Sequence, residues 1–274
     1  GQATEVVEQR FHKKAIPAGE LLSGKLLLLV EDDPFSQFYG KKLLSRLHAR
    51  VDIASNGKEA IDLLHVKIYD IVLMDIQMPV LDGFSAITII RNEMHVKTPV
   101  IAFSASSGDE FIKKTLNMGF NDYILKPANP AELCSKIEKC LGEKLSFKTD
   151  DFVLKDELKC KKNKFSNTDK LKMAMGNDQD MTRAMISKFI EVTPSYYNEM
   201  VAAYDKGDFV PVKQLSHKLK SSVTLLSEDD FAQNIKLINE YAGNPEKYDR
   251  LEPLVKSFRE WYPKLCDELR KELE

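Results

Sequence analysis

Residues 25–44 read KLLLLVEDDPFSQFYGKKLL, an apolar run that passes through three acids into a helical pattern. The run Leu26–Val30 has the length and apolar continuity of a buried strand. Glu31, Asp32 and Asp33 follow it directly, although neighbouring carboxylates repel one another and favour solvent. The carboxyl end of a buried parallel strand is also where an open α/β sheet binds its ligand. The stretch therefore predicts an α/β sheet with a ligand site at this edge.

Short apolar runs alternate with amphipathic stretches of helical period from residue 25 to about residue 144. The predicted strands are Leu26–Val30, Val51–Ala54, Ile71–Met74, Val100–Phe103 and Tyr123–Leu125. The predicted helices are Phe35–Leu47, Lys58–His65, Phe84–Asn92, Glu110–Met118 and Ala131–Leu141. This alternation indicates a small five-stranded, doubly wound parallel sheet with helices on both faces.

The strand pattern ends after about residue 165, and long amphipathic helices take its place. Their spacing predicts an antiparallel bundle of four long helices, with a short leader helix near Thr168–Met175. The lysine-rich stretch before them has no clean period and is interpreted as a linker. The predicted organisation is a leader at 1–24, an α/β domain at 25–144, a linker at 145–165 and a helical domain at 166–274.

Composition limits the classes of partner. The chain has 274 residues and a formal net charge of −2, which gives no overall field that would attract nucleic acid or an anionic membrane. The most apolar stretch is interrupted by Ser23, Gly24 and Lys25, and is too short to span a bilayer. The four cysteines show no CxxC spacing, which favours a reducing, cytoplasmic location. We also expect no direct membrane contact in this segment, with any membrane anchor of a longer parent chain lying upstream.

Polar residues also stand at the ends of three further predicted strands. Asp75 follows the third strand, Ser104 the fourth and Lys126 the fifth. Because the carboxyl ends of parallel strands share one edge, these side chains should meet Glu31 and Asp32 in a single crevice.

The chemistry of this crevice favours phosphoryl transfer. Carboxylate oxygens with room for water suit Mg²⁺. The Lys126 ammonium would add a second positive charge, and the Ser104 hydroxyl would add a hydrogen bond. Such groups position a phosphoryl group and stabilise the charge on its oxygens, with Asp75 as the nucleophile that forms an acyl phosphate.

Four separated motifs carry a family resemblance: LLLVEDDP, VLMDIQMPVLDG, IAFSAS and DYILKP. In this order and spacing they resemble the receiver domain of two-component response regulators, whose fold is flavodoxin-like, over about residues 25–144. The resemblance implies a set of roles and a cis bond between Lys126 and Pro127. The implied roles are Asp75 as phosphoacceptor, Glu31, Asp32, Asp75 and the Gln77 backbone carbonyl as Mg²⁺ ligands, Ser104 and Tyr123 as a switch pair, and Lys126 as the catalytic lysine.

One histidine stands out in the predicted bundle. His217 lies in VKQLSHKLKSSVTLL, where helical geometry turns it away from the apolar stripe and towards solvent. Lys213, Lys220 and Ser221 share its face at helical spacing. An exposed histidine with two lysines and a small neighbour is suited to carry a phosphoryl group. A solvated histidine on a basic helix face is the alternative.

The segment SHKLKSS, within a bundle downstream of a receiver-like domain, resembles a histidine phosphotransfer (HPt) domain over about residues 166–274. Ser221 stands where that family usually has glycine. The layout resembles the C-terminal end of hybrid sensor histidine kinases. The resemblance implies a phosphorelay in which Asp75 exchanges its phosphoryl group with a histidine kinase domain and with His217, which serves a further receiver domain. It also implies that the chain catalyses phosphorylation and dephosphorylation of its own aspartate.

Two other functions remain open from the sequence. A haloacid-dehalogenase-like phosphatase would also use Asp75 as nucleophile, but Gln77 stands where a second acid would be needed. A protein-docking module that is never phosphorylated would leave His217 without a chemical role. The residue that becomes labelled by phosphate distinguishes these cases.

Overall fold

The computed structural model describes residues 22–105, 108–128, 130–142 and 164–274. Most of the leader predicted at 1–24 and of the linker predicted at 145–165 lies outside the described residues. Within the described ranges the chain forms an α/β region, followed by a helical region. No helix among these residues is long and apolar enough to cross a membrane.

The α/β region is built on one parallel sheet. Its strands are β1 (Leu26–Val30), β2 (Arg50–Ala54), β3 (Ile71–Met74), β4 (Val100–Ser104) and β5 (Asp122–Leu125). The strand order is β2-β1-β3-β4-β5, and every neighbouring pair is parallel. This is the flavodoxin-like order, in which the ligand crevice lies beside the carboxyl ends of β1 and β3. The sequence-based prediction of the sheet is therefore confirmed, with strand bounds that differ by one residue at most.

Five helices cover the sheet: α1 (Pro34–Arg46), α2 (Gly57–Val66), α3 (Gly83–Asn92), α4 (Asp109–Asn117) and α5 (Pro130–Leu141). The first three begin with side-chain caps in the loops that leave the sheet. Asp33 accepts a hydrogen bond from the Ser36 backbone N–H at 2.8 Å, and Asp82 accepts one from Ser85 at 2.8 Å. Such caps satisfy backbone donors at the helix start, and they fix the loops that form the crevice.

The helical region follows residue 164. Its helices are α6 (Asp169–Ala174), α7 (Gln179–Asp205), α8 (Phe209–Leu226), α9 (Asp229–Tyr241) and α10 (Leu251–Lys271), with a 3₁₀ helix at Pro245–Arg250. Helix α7 packs on α8 and α10, while α9 packs on α8 and α10, so that the four long helices close a ring. The long helices and the short leader helix occur where the sequence predicts them.

The two regions pack together through α1, which contacts both α7 and α8. Phe35 of α1 meets Phe189 of α7 edge to face, with ring centroids 6.1 Å apart, and buried residues of both regions form one continuous hydrophobic core. At the end of α1, Arg46 donates a hydrogen bond to the Ala174 carbonyl at 2.6 Å. Gly176 makes this approach possible, because a Cβ at that position would lie 2.0 Å from the Arg46 guanidinium.

Candidate functional site

Three carboxylates gather at the carboxyl edge of the sheet. Glu31 and Asp32 follow β1, and Asp75 follows the neighbouring strand β3. One oxygen from each lies within 4.8 Å of the others, and both Glu31 and Asp75 are only 1% exposed. Gly83 keeps the turn beside Asp75 tight, since a Cβ there would come within 2.4 Å of the Asp75 carbonyl oxygen. The predicted convergence of these acids is present in the fold.

Lys126 reaches the same cluster from the end of β5. Its ammonium donates to Glu31 Oε2 and to Asp75 Oδ2, and its side chain is almost completely buried. Burial alone would lower the pKa of Lys126, but the nearby Asp75 and Glu31 carboxylates outweigh it and raise the pKa. The bond between Lys126 and Pro127 is cis, as the family resemblance implies.

The three carboxyl groups of the cluster, if ionised, carry more negative charge than the single Lys126 ammonium neutralises. Burial raises the pKa of Glu31 to about 8, although the charge of Lys126 pulls it down. Three carboxyl groups at this spacing need further positive charge before all of them can be ionised. Oxygen-only donors with that excess charge fit Mg²⁺, which takes a few carboxylates and keeps several waters.

Gln77 and Asp33 complete the immediate surroundings. The Gln77 backbone N–H donates to Asp75 Oδ1 at 3.1 Å, which orients the carboxylate. Asp33 is 3% exposed and caps α1 through Ser36, so it is a structural residue rather than a third solvated acid. Burial raises the pKa of Asp33, and hydrogen bonds from Ser36 and Tyr196 offset only part of that effect.

The predicted switch pair lies on the two strands beyond β3. Ser104 ends β4 and is fully buried. Tyr123 on β5 is 5% exposed, and its ring packs edge to face on Phe111 at 6.3 Å. Its hydroxyl is buried without a hydrogen bond to any described residue, and burial raises its pKa to about 12. The aromatic ring thus already occupies an inward position.

His217 lies over this edge of the sheet, on helix α8. A cleft of about 530 Å³ between the two regions is bordered by Asp32, Gln77 and Met78 on one side and by His217 and Lys218 on the other. The sequence predicts an exposed histidine, and in the fold His217 is half-buried at this cleft. The residue does turn away from the core of its own bundle, but the α/β region covers it.

Contact with the α/β region changes the pKa of the His217 imidazole. Burial lowers the pKa of His217 to about 4, although the negative charge of Asp75 acts in the opposite direction. Its Nδ1 atom is buried and accepts or donates no hydrogen bond within the described part of the chain. At neutral pH the ring is therefore uncharged, the state in which a ring nitrogen has a lone pair available for attack on phosphorus.

The other residues predicted on the His217 face have separate surroundings. The Lys213 ammonium donates to the Asn239 carbonyl at 2.7 Å, and the Asn239 amide returns a bond to the Lys213 carbonyl at 2.9 Å. Burial lowers the pKa of Lys220 to about 8, and the charge of Lys213 adds to that effect. Ser221 borders a small crevice together with Lys126. Lys213 is thus held by α9, while Ser221 faces the sheet edge.

Two contacts across the cleft were not anticipated from the sequence. Lys218 pairs with Asp32 at 2.8 Å, and Tyr196 of α7 lies against Asp33. Lys218 is adjacent to His217 in the chain but about 100° round the helix, outside the face used to select candidates. A search one position to either side of the histidine would have included it.

Comparison with known proteins identifies the α/β region. The family model described as Response regulator receiver domain matches residues 27–138. The chain is 36% identical over 118 residues to a 14.6 kDa protein of Leptolyngbya boryana and covers 90% of it, which is 42% of the present chain. It is 35% identical over 121 residues to two-component response regulator 24 of Arabidopsis thaliana, covering 86% of that protein and 43% of this one. The chain belongs to the response regulator receiver family.

Much longer proteins also match this chain over a similar length. Hybrid signal transduction histidine kinase B of Dictyostelium discoideum is 34% identical over 125 residues, which is 41% of this chain and 6% of that kinase. A solved receiver domain from a sensor histidine kinase of Pseudomonas aeruginosa, with a magnesium ion coordinated in its active site cleft, is 36% identical. That match covers 44% of this chain and 100% of that one, with a TM-score of 0.41. The receiver assignment places this chain in two-component signal transduction, and the family model ends at residue 138, before the helical region.

Proposed function

We propose that this chain is a phosphorelay module in which a phosphoryl group moves between Asp75 of the receiver and His217 of the helical region. The helical region then acts as an HPt domain, with boundaries near residues 166–274. The observation that carries the proposal is the shared cleft, which Asp32 and Gln77 border from one side and His217 from the other. A helix that served only for docking would not need an uncharged imidazole at the acidic edge of the receiver.

The transfer balances as two displacements at phosphorus. In the first, Asp75 forms a new O–P bond while the N–P bond of a histidine kinase's phosphohistidine breaks. In the second, a neutral nitrogen of His217 forms an N–P bond while the Asp75 O–P bond breaks and the carboxylate is restored. Each displacement needs the attacking and leaving atoms in line, which a docked pair of regions would provide.

The surrounding residues have defined tasks in this scheme. The Lys126 ammonium, already on Asp75 Oδ2, would balance charge on the phosphoryl oxygens. The Gln77 backbone N–H keeps the Asp75 carboxylate oriented. Ser104 would donate a hydrogen bond to a phosphoryl oxygen. Tyr123, the second member of the switch pair, would change its position in response.

Glu31, Asp32, Asp75 and the Gln77 carbonyl would hold a Mg²⁺ ion. When bound, the ion supplies positive charge next to the phosphoryl oxygens. The three clustered carboxylate oxygens support this assignment. Asp32→Asn, or removal of metal with EDTA, should therefore abolish labelling of Asp75.

The partners that this function requires are a histidine kinase domain, which donates or receives the phosphoryl group at Asp75, and a further receiver domain served by His217. Both are proposals drawn from the receiver family and from the position of His217. A chain of this layout would correspond to the end of a hybrid histidine kinase, a class represented among its relatives.

A labelling experiment tests the proposal directly. The chain is incubated with Mg²⁺ and labelled acetyl phosphate, and phosphate stable to base but labile to acid is followed by mass spectrometry to its residue. We expect label at His217, and none there in Asp75→Asn or in His217→Gln. His65→Gln, which changes an exposed histidine of α2, is the matched control and should retain the wild-type pattern.

Two results would contradict the proposal. Label that stops at Asp75 would reduce the helical region to a docking module. Continuous turnover of a phosphate monoester, with no label on either residue, would favour a phosphatase.

Transfer from Asp75 to His217 within one chain has its own test. Asp75→Asn is mixed with His217→Gln, so that neither chain carries both sites. We expect His217 labelling in the mixture to be much slower than in wild type and to slow further on dilution. Equal rates, with the same dependence on dilution, would mean that the phosphoryl group passes between molecules.

A further inference from the structure

The docked helical region contributes a positive charge to the receiver's acidic cluster. The Lys218 ammonium lies 2.8 Å from Asp32 Oδ2, with the two side chains 29% and 9% exposed. It also lies 5.7 Å from the centre of the Tyr196 ring. Lys218 is therefore held in a defined, largely covered place rather than moving freely in solvent.

The pairing divides the cluster between two lysines. Lys126 from the receiver contacts Glu31 and Asp75, and Lys218 from the helical region contacts Asp32. Two ammonium groups thus stand close to three carboxylates that gather at one point. One of these ammonium groups is present only while the regions are docked.

We propose that Lys218 and Mg²⁺ compete for the Asp32 carboxylate, which makes Lys218 an electrostatic latch on the docked, metal-free chain. The inference rests on the metal site of the proposed function. A metal that takes Asp32 as a ligand brings positive charge close to the ammonium on Asp32 Oδ2, and two cations on one carboxylate repel each other. The repelled ammonium stays beside the cleft that His217 borders.

The competition has to act in both directions. If docking weakens Mg²⁺ binding by a given factor, Mg²⁺ weakens docking by the same factor, because the two equilibria share one thermodynamic cycle. The Phe35–Phe189 contact and the Arg46 bond do not involve the metal site, so they keep the regions together when the latch opens. Lys218 thus makes the free energy of docking depend on whether Mg²⁺ is bound to the receiver.

Calorimetric titration of the full chain with Mg²⁺ alone, without any phosphodonor, tests the inference. Lys218→Met should lower the Mg²⁺ dissociation constant by about threefold to tenfold, the range for a partly covered ion pair. Lys218→Arg keeps a charge that can pair with Asp32, so its affinity should remain within about twofold of wild type. Lys220→Met removes another lysine of the same helix, which does not pair with Asp32, and should change the constant less than Lys218→Met.

Hydrogen exchange supplies the reciprocal measurement. Saturating Mg²⁺ should increase exchange of amides at the contact between α1 and α7 in wild type, and should do so much less in Lys218→Met. Equal Mg²⁺ affinities in wild type and Lys218→Met, or equal effects of Lys218→Met and Lys220→Met, would overturn the latch. Absence of Mg²⁺ binding in every variant would overturn the metal site and the latch together. An intact affinity shift with no label transfer would count against the proposed relay alone.

Discussion

Asp75 is buried and His217 is half-buried, and different parts of the chain surround them. The groups that bond to Asp75 come from its own region, where Lys126 and the Gln77 backbone N–H reach the carboxylate. His217 is turned away from the core of its own helices and is covered by the receiver across a cleft. The hydrogen-bond partners of the aspartate thus belong to one fold, whereas the environment of the histidine exists only while two regions are docked.

This difference separates what each residue can do alone. The receiver keeps its carboxylates and Lys126 together whether or not a partner is present. Contact with the receiver half-buries the histidine and lowers its pKa, so docking keeps the ring uncharged down to a lower pH. The following predictions address that contrast, from the largest expected effect to the smallest.

Asp75→Asn should produce the largest change. The amide cannot serve as the nucleophile, so label incorporation from a phosphodonor should fall by more than about 100-fold. Asp82→Asn is the matched control, because Asp82 borders the same cleft and Asn also caps a helix well. Phosphoprotein quantified by mass spectrometry checks both, and comparable losses in the two variants would remove the special role of Asp75.

Phe189→Ala should disrupt docking. The ring is fully buried against Phe35, and loss of a buried phenylalanine destabilises by about 3–5 kcal/mol. Transfer from phosphorylated Asp75 to His217 should slow by at least about tenfold, if only part of that energy acts on docking. Phe258→Ala removes an equally buried ring that packs on Trp261 inside the helical region. Single-turnover rates of transfer should therefore distinguish the two, and equal slowing would mean that the contact between α1 and α7 does not support transfer.

Acid should weaken docking through His217. Its docked pKa of about 4 lies below the ordinary 6.5, so the protonated ring favours separation of the regions. This contribution to docking is complete above pH 6.5 and is lost as the pH falls towards 4. Between pH 7 and pH 5 the loss should be about 2 kcal/mol.

Hydrogen exchange of α1 amides over that pH range measures the effect. His217→Gln provides the control, since it removes the imidazole while keeping the charged groups around it, Asp75, Lys126, Lys213 and Lys220. Parallel pH curves for wild type and His217→Gln would show that the histidine is not shielded by docking.

Tyr196→Phe should have the smallest effect. It removes the hydroxyl that lies against Asp33 but keeps the ring beneath Lys218. The expected loss of docking free energy is about 1 kcal/mol, typical of one hydrogen bond. Tyr197→Phe, the adjacent tyrosine that stacks on Tyr262 within the helical region, is the control. Chemical denaturation and transfer rates should show a small change for Tyr196 alone.

The sequence predicted the surroundings of Asp75 far better than those of His217. The sheet and the carboxylate crevice could be predicted because strand-end residues such as Asp75 and Lys126 are brought together by the topology of a parallel sheet, which short-range patterns specify. The burial of His217 could not be predicted, because it depends on two regions that are far apart in the chain. Phe35 and Phe189 each fit the apolar face of a helix. The neighbouring sequence does not distinguish a ring that packs within its own region from one that packs on a helix of the other region.

Helix α1 is also part of a core whose two halves are synthesised at different times. The receiver segment leaves the ribosome before α7 is complete, and regions of a chain generally fold in the order of their synthesis. Until α7 arrives, the Phe35 ring lacks the cover that Phe189 later gives it. The nascent receiver therefore carries an apolar patch on α1 that its own downstream helices later cover.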